Sequence, residues 1–209
     1  MQIDLRGFMP QLFGNSRVNW LRVSFVTSLL SLTGCSSISW SSLYPMNWFA
    51  SSVKISATGV GQINKMTPMK EQIIVAALDD RYYFRSGMQI EQGQLMSLFQ
   101  GIKNDQEKIV IYGIEKGEVK RIEIMDEDIK TVWDTQIGIP FSQIYQNAVQ
   151  GSCYPDPNQT NMLTINCVSP QSSHVIYRFT GKWSGPKNLV PSNDVLANWK
   201  VSGIIWSAQ

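Results

Sequence analysis

An α+β fold built on an antiparallel sheet is the class this sequence predicts, on three observations. Segments with apolar and polar residues alternating, each bounded by a polar turn, recur from residue 53 to residue 206 and read as strands. Two isolated stretches carry apolar residues at helical spacing instead. The strands come in consecutive runs rather than alternating one for one with helices, which favours an antiparallel sheet over a parallel one.

The elements follow in order. Val53-Lys54-Ile55-Ser56 alternates like a strand until Gly59 and Gly61 interrupt it. Thr67-Pro68 has the chemistry of a helix start, with Thr as N-cap and Pro in the first turn, and Ile73, Ile74, Ala77 and Leu78 follow at helical spacing to Asp79-Asp80. Residues 82–85 read as a short strand and Ser86-Gly87 as a turn. Residues 95–102, 108–114 and 119–125 then form a meander, turning at 103–107 and at Glu115-Lys116-Gly117-Glu118. A second helix is expected over 140–149, with Phe141, Ile144, Tyr145 and Ala148 on one stripe. Residues 162–168 and 174–180 read as a hairpin, Ser192-Asn193-Asp194 as the start of a short helical turn, and 200–206 as the last strand. The expectation is thus two main helices and a C-terminal helical turn on an antiparallel sheet. A repeat of one helix plus three strands, over 67–125 and 140–206, is compatible with this order but shows no clear self-similarity.

The N-terminus carries a different message. Arg17 and Arg22 precede the uncharged apolar run Val23 to Leu32, which ends on Leu32-Thr33-Gly34-Cys35. A positive flank, a short apolar segment and a small-residue cleavage site make a secretory signal. The run is about half the ~20 residues that a hydrocarbon span needs. Leu-Thr-Gly-Cys has the bacterial lipobox pattern, which predicts cleavage before Cys35 and diacylglyceryl modification of its sulfur. Residues 1–34 are therefore expected to be a signal peptide, 35–52 a lipidated cysteine and tether, and 53–209 one exported domain. Initiation at Val18 would give a compact signal without the polar tract of residues 1–16, so the first 17 residues are expected to lie outside the translated protein. The tether is Ser-rich with Trp40, Tyr44, Trp48 and Phe49 interleaved. These rings suit lipid headgroups, but for Trp48 and Phe49 the plainer reading is that they tuck into the folded domain and fix its first edge.

Composition limits the partners. Three of the 18 basic residues and one of the 16 acidic ones precede Cys35, so the chain after the cut has no net charge. That gives no argument for nucleic acid, and the membrane is expected as a partner through the lipid alone. About 175 residues suffice for one core and not comfortably for two. With Cys35 consumed, Cys153 and Cys167 are an even pair in an exported chain, most simply a disulfide. A metal pair is the alternative, but His174 is the only histidine and no CxxC is present. Asn158-Gln159-Thr160 matches a glycosylation sequon, without meaning in a bacterium.

No catalytic constellation emerges. His174 follows Ser172-Ser173, but neighbours in a turn are not a triad, and a surface or turn histidine is the plainer reading. Asp126-Glu127-Asp128 lacks the glycine of a calcium loop and reads as a solvated turn in which Asp128 caps. Gly138-Ile139-Pro140-Phe141-Ser142 opens a helix without a phosphate-loop glycine pattern or lysine. Trp133, Trp183, Trp199 and Trp206 could line an aromatic cleft, with core packing as the alternative. No catalytic residue, metal ligand or cofactor is assigned.

Several segments run in one order: the lipobox, Pro45-Met46-Asn47-Trp48-Phe49, Gly59-Val60-Gly61 and Arg85-Ser86-Gly87-Met88. They continue through residues 122–129, Gly138-Ile139-Pro140-Phe141-Ser142, and Cys153 with Cys167. Residues 179–186, Pro191-Ser192-Asn193-Asp194, Asn198-Trp199-Lys200-Val201-Ser202 and Ile204-Ile205-Trp206 complete the set. In these the chain resembles the RpoE-regulated lipoprotein family of enterobacteria and their relatives, a domain family of unknown function. The resemblance implies an envelope lipoprotein under the extracytoplasmic stress sigma factor, with Cys35 as its lipid-bearing position and no assigned activity. The expected function is a non-enzymatic binding or scaffold domain, anchored at the periplasmic face of the outer membrane because Ser36 is not the aspartate of inner-membrane retention. Envelope proteins or peptidoglycan are the expected partners. A hydrolase of cell wall or lipid, a peptidoglycan or small-ligand binding module, and an inner-membrane anchor are the alternatives.

Overall fold

The computed structural model describes residues 53–91, 93–157 and 162–208. The expected signal peptide, Cys35, the expected tether and the sequon fall outside these. In chain order the elements are β1 (Lys54–Ile55), β2 (Gly59–Val60), β3 (Ile63–Asn64), α1 (Glu71–Ala77), β4 (Tyr83–Glu91), β5 (Gln94–Lys103), β6 (Gln106–Ile114) and β7 (Val119–Ile124). They continue as β8 (Lys130–Thr131), α2 (Phe141–Ile144), β9 (Tyr154–Pro155), β10 (Leu163–Ser169), β11 (Ser172–Gly181), α3 (Asn193–Leu196) and β12 (Lys200–Ser207).

Eight strands form one antiparallel sheet in the order β4-β5-β6-β7-β12-β11-β10-β9, and β3-β2-β1-β8 form a small second sheet. The large sheet is symmetric in order: the last strand of each meander, β7 and β12, pairs at its centre. Its core face is continuous across strands. Ile109, Ile124, Ile204, Tyr177 and Cys167 stand in register on five neighbouring strands, all fully buried. Phe99, Ile111, Ile122, Trp206 and Val175 form the next row. Each such side chain contributes roughly 1.5–3 kcal/mol when removed from water. Ile74 and Leu78 near α1, Phe141 of α2, Leu196 of α3, and Ile55, Val60 and Ile63 of the small sheet complete the same core.

The hairpin chemistry is local. Asn104 and Asp105, between β5 and β6, both take left-handed backbone (φ 52° and 59°), as a two-residue turn matched to strand twist requires.

Three expectations need correction. The helices are few and short: the expected 140–149 helix is one turn, because Tyr145 is already extended and its hydroxyl reaches out to donate to the Val168 carbonyl at 2.7 Å. Beyond it, side-chain amides take over the backbone donors. Ala148 N–H donates to Asn193 Oδ1, and Gln150 N–H to Asn147 Oδ1. Thr67 does not cap α1, which starts at Glu71. Val119 N–H donates to Thr67 O and Met69 N–H to Gly117 O, so residues 67–69 are tied to the β6–β7 turn and cannot be helical. Finally, Ser86-Gly87 is no turn: β4 runs straight through it, with Gly87 opposite Leu98.

Candidate functional site

Cys153 and Cys167 are joined in a disulfide, with their Cα atoms 4.1 Å apart. The approach is close because Val168 N–H donates to Gly151 O at 2.7 Å and position 151 has no side chain. A Cβ there would lie 2.8 Å from the Tyr145 ring. The bond staples the loop before β9 to a core strand, and by restricting the unfolded chain it contributes about 3 kcal/mol.

The Asp126-Glu127-Asp128 triplet is not uniformly solvated. Asp126 is 1% exposed; its Oδ2 accepts from the Tyr82 hydroxyl at 2.7 Å and its Oδ1 from the Asp128 N–H at 3.0 Å. Burial opposes its charge, yet the Tyr82 and Asp128 hydrogen bonds and the Lys103 ammonium outweigh that and hold its carboxyl below the usual range. Burial, then the bond to Asp126, pushes the Tyr82 hydroxyl up. Lys103 also pairs with Asp128 at 2.6 Å. These contacts link β4, β5 and the loop after β7. They form a structural lock, and a strand-pattern reading of three acidic residues could not separate its buried member from the exposed ones.

The face of the large sheet opposite the core carries a chain of charges. Glu91 pairs with Arg121 at 2.6 Å, Arg121 with Glu123 at 3.2 Å, Glu123 with Arg178 at 2.9 Å, and Arg178 with Asp156 at 3.4 Å. Arg121 also lies 4.3 Å over the Tyr112 ring, and Asn166 donates to Asp156 at 3.3 Å. Alternation along β7 already puts Arg121 and Glu123 on one face. Their partners on β4 and β11 come from distant sequence, which hides the ladder from a local reading.

Two of the clefts among the described residues lie beside side chains considered above. One of about 440 Å³ lies between Met69 and the Ser86–Met88 stretch of β4, with Phe99 at its side. The other, about 520 Å³, is bounded by Gly59, Gln62, Lys65 and Met66 on one side and by His174 and Trp206 on the other. The Trp206 indole donates to the Ala57 carbonyl at 3.2 Å, holding the small sheet against β12. His174 sits in β11, partly buried, with Nδ1 3.0 Å from the Ser207 carbonyl oxygen. That oxygen only accepts, so Nδ1 donates, and in the neutral ring Nε2 is left as the acceptor. The arrangement can orient a hydrogen-bonding ligand in the 520 Å³ cleft. Among the described residues no group of three metal-ligating side chains comes together.

The tryptophans do not share a cleft. Trp199 packs over Gly181 and Trp183 over Gly185, while the Trp133 indole donates to the Tyr177 hydroxyl. Packing is the account the geometry supports for these three. Cys35 lies outside the described residues.

A mostly antiparallel β domain with few short helices, one disulfide, a buried apolar core and a charged outer face is the class that this arrangement defines. Residues 37–208 match a family described as a protein of unknown function, DUF1131, and the chain belongs to that family. It is 42% identical over 189 residues to the uncharacterized protein YfeY of Escherichia coli strain K12, covering 89% of this chain and 97% of that one. The crystal structure of the uncharacterized protein yfeY from Escherichia coli has the same fold, with a TM-score of 0.66 at 40% identity over 74% of this chain and 99% of the crystallised one.

Proposed function

We propose that this protein is a bacterial envelope lipoprotein, attached through diacylglyceryl-Cys35 to the periplasmic face of the outer membrane. Its domain acts as a non-enzymatic binding or scaffold module under the envelope-stress sigma factor. The observation that carries the reading is the junction at Cys35. A lipobox ends there, and the family match begins at residue 37, two residues after the proposed cut. The Cys153–Cys167 disulfide fits an oxidising compartment. Three acyl chains on one cysteine would hold the domain permanently, since two membrane signals already give stable anchoring. A scaffold role is supported by the outer face of the sheet, which presents a row of partly exposed, ion-paired charges that a polar partner could engage.

Sucrose-gradient fractionation tests the location: the protein co-sediments with outer-membrane markers, and recovery with inner-membrane markers contradicts the proposal. In-cell crosslinking followed by mass spectrometry tests the scaffold role, which predicts envelope proteins or peptidoglycan fragments among the products.

A second reading, a small-ligand module, is favoured by the His174 cleft with its oriented ring. It predicts that soluble muropeptides protect His174 from diethylpyrocarbonate. Unchanged modification at saturating muropeptide would contradict it.

A further inference from the structure

The two edges of the large sheet are treated differently. β9 is two residues long, contains Pro155 and is followed by Pro157, and the disulfide ties the loop before it to β10. Short strands and prolines are ordinary protection against edge-to-edge association. β4 has no such protection: it is nine residues long, contains neither proline nor lysine, and among the described strands pairs only with β5. Its core-face residues are Phe84, Ser86, Met88 and Ile90. Phe84 is buried, but beyond it the strand outruns the core, leaving Met88 65% and Ile90 77% exposed. Leu95, opposite Ile90 on β5, extends the apolar patch.

We propose that the β4 edges of two copies of this chain pair antiparallel about a two-fold axis at Gly87, joining two large sheets into one. The strand is self-complementary in that register. Ile90 of the second copy stands opposite Phe84, and Met88 of the second copy opposite Ser86, which lines the 440 Å³ cleft. On the other face Arg85 stands opposite Gln89 of the second copy and one step diagonal to Glu91 of the second copy, within reach of a long side chain. Both charged residues of the strand thereby face an opposite charge, in the isologous manner of a two-fold interface, with Glu91 shared between Arg85 of the second copy and its own Arg121. The residue on the axis is glycine, so no side chains collide where the strands cross.

Cysteine scanning of the full chain tests the register. Directly opposed residues of an antiparallel pair have Cα atoms about 4.5–5.5 Å apart, inside the disulfide range. Position 87 tolerates a side chain, since a Cβ there would meet Leu98 only at ordinary contact distance, 3.4 Å. Gly87→Cys should therefore oxidise to a covalent dimer. Gln89→Cys should not, because its two copies would lie four strand steps, about 14 Å, apart. Adding Met88→Lys and Ile90→Lys to Gly87→Cys should slow crosslinking about tenfold or more, at positions exposed enough to leave the fold intact. Selective crosslinking at 87 supports the pairing however weakly the parent chain associates. Crosslinking at 87 no faster than at 89 overturns it, as does a dimer in sedimentation whose position-87 cysteines stay reduced.

Discussion

The Tyr82 hydroxyl donates a 2.7 Å hydrogen bond to the buried carboxylate of Asp126, joining the start of β4 to the loop after β7 across 44 residues of sequence. A neutral donor on a buried charge is among the stronger single hydrogen bonds, net about 1.5–3 kcal/mol. Tyr82→Phe removes the donor and leaves the charge short of a partner, so it should lower stability by about that amount. Asp126→Asn keeps an acceptor for Tyr82 and should cost less than Asp126→Ala. Urea midpoints of the three variants check the ranking.

The same carboxylate makes stability acid-sensitive. Its folded pKa lies below its unfolded value, despite burial, because Tyr82, the Asp128 N–H and Lys103 favour the charged form. Such a group contributes fully above the unfolded carboxylate value, near 3.9, and the contribution is lost as pH falls through the folded value. Denaturation midpoints measured from pH 7 down to pH 3 should fall more steeply for the parent than for Asp126→Asn.

Reducing the Cys153–Cys167 bond should cost about 3 kcal/mol, the loop-closure term for its span. The Cys153→Ser/Cys167→Ser variant should therefore melt lower than the oxidised parent, and a reductant should lower the parent's melting temperature without changing the variant's. A melting temperature indifferent to reductant in the parent would contradict this.

In the charge ladder, Glu123 and Arg178 are each partly exposed, so their attraction is partly screened. A double-mutant cycle of Glu123→Ala and Arg178→Ala should give a favourable coupling of about 1 kcal/mol that shrinks with added salt. A coupling near zero at low salt would make the ladder incidental.

Much of the large sheet is legible in the chain because its determinants are local. Alternation around Ile109 and Ile111, Ile122 and Ile124, and Tyr177 and Phe179, with turns at Asn104-Asp105 and around Lys116, places β5 to β7 and β10 to β12 within about two residues. The errors lie where distant contacts decide. Phe141 and Tyr145 suit a helical stripe, but Phe141 N–H donates to Trp199 O and Tyr145 reaches Val168, which leaves a single turn. Ser86-Gly87 has turn composition, yet pairing with Phe99 and Leu98 keeps it extended. Of the two-residue strands, β1 shows in the alternation of residues 53–56, whereas β2, β3, β8 and β9 are too short to carry a periodic signal. Of the site residues, the Cys153–Cys167 pair is the simplest reading of two cysteines in a chain read as exported, once Cys35 is set aside for the expected lipid, with a metal pair as the alternative. The buried role of Asp126 and the fixed ring of His174 depend on partners 44 and 33 residues away, which no local pattern reveals.

Metabolic labelling with radioactive palmitate tests the proposed attachment most directly. The parent chain, expressed with its own leader, should incorporate label and accumulate as a larger precursor when signal peptidase II is inhibited; Cys35→Ala should do neither. Palmitate incorporation into Cys35→Ala equal to that of the parent, or no incorporation into either, would contradict the assignment of this protein as a lipoprotein anchored at Cys35.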